Sequence, residues 1–133
     1  MRTFVLSVVI CFFSSLAVLA QNAKPTIEFK ESIHDFGVVA EDKGTVNYVF
    51  DFTNTGGQPL VVHNVQASCG CTTPEWSRNP IAPGGKGTVK VTFDPKNRPG
   101  NFNKMITISS NAQNANVVLR NTGNVTARQQ TTE

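Results

Sequence analysis

Cys69-Gly70-Cys71 sets two thiols one residue apart, and the chain's third cysteine, Cys11, lies far upstream in an apolar leader. Two thiols at this spacing can do three kinds of chemistry. They can close a local disulfide, which suits an oxidising compartment. They can stay reduced and pack as small apolar side chains. They can offer thiolates to a soft ion such as Cu(I) or Zn(II). In an extended strand residues i and i+2 share a face, so both sulfurs could turn toward one partner. The usual rise sets the two Cα atoms about 6.6 Å apart, near the upper limit for a disulfide. Gly70 relaxes that limit, because glycine can enter φ > 0 and fold the segment into a tight turn.

The metal reading needs further ligands. His34 and His63 are the only histidines, and neither stands at a ligand spacing such as C-x-x-C…H-x-x-x-H. His63 is the candidate third ligand beside Cys69 and Cys71, and the expectation is no metal and no cofactor. A redox enzyme normally presents Cys-x-x-Cys at a helix N-terminus, which lowers the first thiol's pKa. Here Thr72-Thr73-Pro74 follows and reads as loop, so no catalytic residue is assigned. Gly84-Gly85-Lys86-Gly87 lacks the spacing of a phosphate loop. Asp35-Phe36-Gly37 stands without the other kinase signatures. The carboxylates Asp35, Glu41, Asp42 and Asp51 are scattered.

The best candidate for a binding surface is the loop expected over residues 67–81, with Thr72, Trp76 and Arg78 as its contact residues. Long loops on rigid scaffolds tend to carry function. Trp76, between Pro74 and Pro80, would serve either as an aromatic platform or as a cap on the core.

The elements that must hold these residues are short strands. Over residues 45–54, Val46, Tyr48, Phe50 and Phe52 fall on one face and Asn47, Asp51 and Thr53 on the other. Strict alternation of aromatic and β-branched residues predicts a half-buried strand. Residues 88–93 repeat the pattern. Further strands are expected over residues 105–109 and 116–120, with weaker ones over 27–29 and 60–65. The last changes phase between Val62 and Val65, which predicts a bulge. Turn clusters separate the strands, and no segment shows sustained helical spacing. Strands at intervals of about 8–12 residues predict an all-β fold, an immunoglobulin-like antiparallel β-sandwich of about seven strands. The antibody-type Cys…Trp…Cys core is absent, since both cysteines sit together and Trp76 follows them.

Met1-Arg2-Thr3, the apolar run over residues 4–16 and Ala17-Val18-Leu19-Ala20 have the grammar of a cleaved signal peptide over residues 1–20. The apolar run is shorter than the roughly 18 residues a bilayer span needs, so no span is expected after cleavage. One domain over residues 25–126 and a disordered tail over 127–133 complete the organisation. The net charge of the 133-residue chain is +3, without the dense basic stripe of a nucleic-acid binder.

The punctuation of the chain carries a resemblance. His34-Asp35-Phe36-Gly37, Gly44, Phe52-Thr53-Asn54-Thr55-Gly56, Pro59-Leu60, Cys69-Gly70-Cys71-Thr72, Pro83-Gly84, Phe93-Asp94, Gly100-x-Phe102 and Ser109-Ser110-Asn111 stand in that order. Together they resemble a family of secreted bacterial domains of unknown function, numbered 1573, over residues 27–125. That family is similar to the immunoglobulin-like domains of cilium, centrosome and major sperm proteins, which act as binding and scaffolding modules. The resemblance implies a sandwich and a secreted or periplasmic location in a Gram-negative cell envelope. It implies an envelope protein or surface component as partner, and no reaction.

Overall fold

A computed structural model describes residues 23–128, so the expected leader and residues 129–133 of the expected tail lie outside the described span. The chain forms eight strands: β1 (Ile27–Phe29), β2 (Ile33–Ala40), β3 (Val46–Asn54), β4 (Val62–Ala67), β5 (Thr72–Trp76), β6 (Lys86–Phe93), β7 (Gly100–Ser110) and β8 (Asn116–Thr126). The first sheet has the order β1-β3-β6-β5 and the second β2-β8-β7-β4. This is the strand order of a constant-type immunoglobulin sandwich. There are eight strands rather than seven because the first strand is divided. β1 pairs with β3 in one sheet, then the chain crosses and pairs as β2 with β8 in the other. The β2–β8 pairing is parallel, the exception in an otherwise antiparallel fold. No helix of the described residues is long and apolar enough to cross a membrane.

The alternation read in the sequence is what joins the sheets. Phe50 and Phe52 of β3 are 1% exposed, and Val89, Val91 and Phe93 of β6 are fully buried. Phe50, Phe52, Val89 and Val91 form one cluster with Leu119 of β8 and Ile106 and Ile108 of β7, also fully buried. Each such side chain contributes about 1.5–3 kcal/mol by leaving water. A second cluster holds Cys71, Phe93, Phe102 and Val125, with the Phe93 and Phe102 rings stacked at 4.2 Å. Gly87 lies within β6, which begins two residues before the strand expected over residues 88–93. The Phe52 ring occupies the space that a Cβ at Gly87 would need.

The expected bulge is present as a register shift between Val62 and Asn64 of β4. Two strands had no clear signal. β2 is interrupted by a register shift between Asp35 and Val38, with Gly37 at φ 66° and its N–H held by Asp35 Oδ1 at 2.8 Å. β5 contradicts the loop expected over residues 67–81, because Thr72 to Trp76 pair with β6 despite Pro74. Pro74 fits because an edge strand needs N–H donors on one side only.

Candidate functional site

The cysteine segment is the corner at which the chain leaves the second sheet and enters the first. Ser68 extends β4 by donating its N–H to Met105 C=O at 2.9 Å, while its hydroxyl accepts Met105 N–H at 3.1 Å. Four residues, 68–71, separate Ala67 from the start of β5 at Thr72. Within that corner Cys69 and Cys71 are joined by a disulfide, with Cα atoms 5.3 Å apart. Gly70 reaches this spacing without a left-handed conformation. Among described glycines only Gly37, Gly44, Gly84 and Gly100 have positive φ. A Cβ at Gly70 would meet nothing, so the turn does not depend on glycine.

The corner is anchored on both sides. Thr72 N–H donates to Cys69 C=O at 3.3 Å, and Asp94 N–H donates to Cys71 C=O at 2.9 Å. Cys71 is 5% exposed and packs with Phe93, Phe102 and Val125, while Cys69 is half-buried against the same cluster. The Thr72 hydroxyl lies 3.8 Å from each sulfur. Cys71 therefore belongs to the core, and Cys69 lies half-buried at its margin.

The remaining candidate residues are dispersed. His63 is exposed at the β4 bulge. His34 stacks on Tyr48 at 3.6 Å and meets the edge of Phe36 at 4.6 Å, a packing role. Among the described residues no three His, Cys, Asp or Glu side chains lie close enough to hold an ion together. Thr72 is 4% exposed and opens inward. Trp76 lies opposite Val89 and packs half-buried on the main core. The exposed Arg78 covers its ring, with the guanidinium carbon 3.6 Å from the centroid. Of the three binding candidates, Arg78 alone is presented openly to solvent.

Sequence reasoning missed two polar anchors. Asn54 is fully buried, and its amide group donates to Gln58 C=O at 2.7 Å and Ile81 C=O at 2.9 Å, while Oδ1 accepts Gly56 N–H at 3.0 Å. Its place at the end of an aromatic strand reads as a turn residue; its bonds to a segment 27 residues away have no local signal. Glu41 joins two other segments, accepting Asn97 N–H at 3.1 Å and Arg128 N–H at 3.2 Å. Tyr48 donates its hydroxyl to Glu31 Oε2 at 2.6 Å, and this bond to a carboxylate raises the phenol above its ordinary pKa.

Comparisons with solved structures bear on the fold. A protein of unknown function from Porphyromonas gingivalis W83 is similar at TM-score 0.66 and 21% identity, over 75% of this chain and 46% of that one. The secreted serine protease VesC from Vibrio cholerae is similar at TM-score 0.56 and 15% identity, over 75% of this chain and 23% of that one. The chain thus spans less than half of either protein, and the likeness is one of fold. A sequence search of curated proteins finds no match. The family model described as a protein of unknown function, DUF1573, matches residues 27–125, and the chain belongs to that family.

Proposed function

We propose that the chain is an exported, non-catalytic immunoglobulin-like module that binds a protein or another component of the bacterial cell envelope. The observation that carries this reading is the position of the cysteine pair. Its disulfide spans a corner between sheets, and Cys71 is packed among Phe93, Phe102 and Val125 rather than opening into a cleft. A chemistry centre needs convergent polar groups around its reacting atom. Here the hydrogen-bonding neighbour of both sulfurs is the Thr72 hydroxyl, and the histidines lie on other strands.

The test uses the processed chain and a Cys69→Ser/Cys71→Ser variant, each immobilised and exposed to envelope extract of the source bacterium. The module reading predicts that both forms retain the same component, released by competing soluble chain. A component held only by the cysteine form and released by dithiothreitol as a mixed disulfide contradicts it.

The second reading is a thiol redox or soft-metal protein centred on Cys69 and Cys71. Cys69, only partly buried, favours it, because it is the half of the bridge that an external dithiol would attack. That attack forms a mixed disulfide at Cys69 and releases Cys71 as thiolate; the second external thiol then frees Cys69 and leaves the donor oxidised. The leaving thiolate would form among aromatic rings, where burial opposes charge. Copper or zinc bound stoichiometrically after reduction would favour the metal arm.

A further inference from the structure

We infer that the outer edge of β4 is a strand-docking site, whose occupant is an extended, proline-free peptide segment of a partner protein. The inference rests on the binding-module reading and names the surface that module uses. A strand at the end of a sheet presents unpaired backbone N–H and C=O groups, and folded proteins cover or disable them. The two sheets have four such strands, β1 and β5 in the first, β2 and β4 in the second. Three of them are disabled, each by a different device.

On β1 the Asn114 carboxamide takes both outward groups of Ile27, accepting its N–H at 3.1 Å and donating to its C=O at 2.7 Å. β2 is broken by the register shift between Asp35 and Val38, where Gly37 has a positive φ. Beyond that break the Ala40 C=O accepts Lys43 N–H at 3.2 Å. On β5 the Thr72 N–H is held by Cys69 C=O at 3.3 Å, and Pro74 has no N–H.

β4 has no such device beyond its bulge. The bond from Ser68 N–H to Met105 C=O sets the alternation, so the backbones of Asn64 and Gln66 bond to β7. Those of Val65 and Ala67 point to the open side, and their N–H and C=O groups have no partner among the described residues. The strand reads VHNVQA, without the lysine, proline or inward charge that usually guards an edge. Just ahead of it the same edge already holds an extended backbone. Leu60 N–H donates to Ile81 C=O and Ile81 N–H to Leu60 C=O, both at 2.8 Å, as an antiparallel bridge. Upstream of Ile81 the chain belongs to β5 in the other sheet, so this covering stops short of Val65 and Ala67.

The occupant follows from the backbone chemistry. Two N–H and C=O pairs two residues apart match the repeat of another extended chain, which adds a strand to the sheet. A segment of about five residues, roughly 17 Å, spans residues 64–68. It needs its own N–H groups at the bonded positions, which excludes proline there. A second copy of this chain is disfavoured by β5, which ends the first sheet on the same side as β4. Pairing β4 with its own image brings the two β5 edges together, where the outward carbonyls of Thr72 and Pro74 meet no donors. A single peptide strand carries no second sheet and leaves those carbonyls in water.

The test selects linear peptides from a random phage-displayed library on the processed chain and maps the best one, as a synthetic peptide, by amide hydrogen exchange. The peptide is expected to slow exchange of the Val65 and Ala67 N–H groups at least ten-fold, a readout on the wild-type chain alone. Its Kd should change less than two-fold between about 0.05 and 0.5 M salt, because no charge of β4 takes part. Ala67→Pro removes one outward donor and should weaken the peptide at least ten-fold, with Trp76 fluorescence reporting that the variant is folded. Failure to select a peptide, protection of other amides only, or binding indifferent to Ala67→Pro overturns the inference. So does a free chain that dimerises in sedimentation velocity with these two amides protected, since its occupant is then a second copy. In the envelope pull-down, a component held equally by Ala67→Pro overturns this site and leaves the module reading standing. Retention of nothing by either form overturns the module reading and this inference with it.

Discussion

Pro74 faces Val91 across the β5–β6 ladder, at a position whose backbone points away from β6. The bond from Ser77 N–H to Thr88 C=O fixes the alternation, so the backbones of Thr73 and Glu75 bond to β6 while the backbone groups of Thr72, Pro74 and Trp76 point away from it, along the open edge. Thr72 N–H is already held by Cys69 C=O. Pro74 has no N–H to offer, so two successive donors of this edge are removed from any incoming strand. Pro74→Thr restores one of them. The expected result is earlier and stronger light scattering on heating, with the fluorescence melt shifted by only a few degrees. Unchanged scattering would show that the edge is protected by something else.

The same edge explains what could be read from sequence. β3 and β6 are legible because each buries one face, so period two appears undisturbed at Val46, Tyr48, Phe50 and Phe52 and at Val89, Val91 and Phe93. The bulge in β4 is legible because it moves Val65 out of phase with Val62. β5 is not, because Pro74 and the run Thr72-Thr73 look like loop until a neighbouring strand is known. β2 fails for a related reason: Gly37 and the shift at Asp35 break its period, and its partner β8 is distant in sequence. The cysteine pair was visible as a pair, but its role as a corner depends on Phe93 and Phe102, which no local pattern links to it.

Removing the bridge should cost stability and little else. For so short a loop the chain-entropy model gives about 1.5 kcal/mol, and losing the packed Cys71 sulfur adds about 1 kcal/mol. Cys69→Ala/Cys71→Ala is therefore expected to lower unfolding free energy in urea by about 2–3 kcal/mol, read by Trp76 fluorescence. Gly70→Ala should fall within about 0.5 kcal/mol of wild type, since the position needs no positive φ. A large loss at Gly70 would show that the turn depends on glycine after all.

Two buried asparagines should behave in opposite ways. Asn54 has partners on both ends of its amide, so Asn54→Leu strands two carbonyls and is expected to cost about 2–4 kcal/mol. Asn121 is fully buried with neither side-chain polar atom hydrogen-bonded. Asn121→Leu removes that desolvation penalty and should be neutral or stabilising by about 1 kcal/mol in the same urea assay. Equal losses at both sites would contradict the distinction.

Tyr48 is the only tyrosine, so absorbance of its phenolate reads one group. Its bond to the Glu31 carboxylate raises the folded pKa above the ordinary phenol value. Because the folded value is raised, the bond's contribution is present below the unfolded pKa and fades as pH rises through the folded one. Glu31→Gln should move the midpoint back down and remove the alkaline loss of stability attached to it. A midpoint that ignores Glu31 would place the hydroxyl elsewhere.

Turnover of a disulfide substrate by the purified, processed chain probes the central claim most directly. With dithiothreitol as reductant and insulin as substrate, the chain should leave the rate at its uncatalysed value, with no more than one disulfide exchanged per molecule of chain. Many insulin disulfides reduced per chain, abolished by Cys69→Ser/Cys71→Ser, would make the corner a catalytic centre and contradict the account.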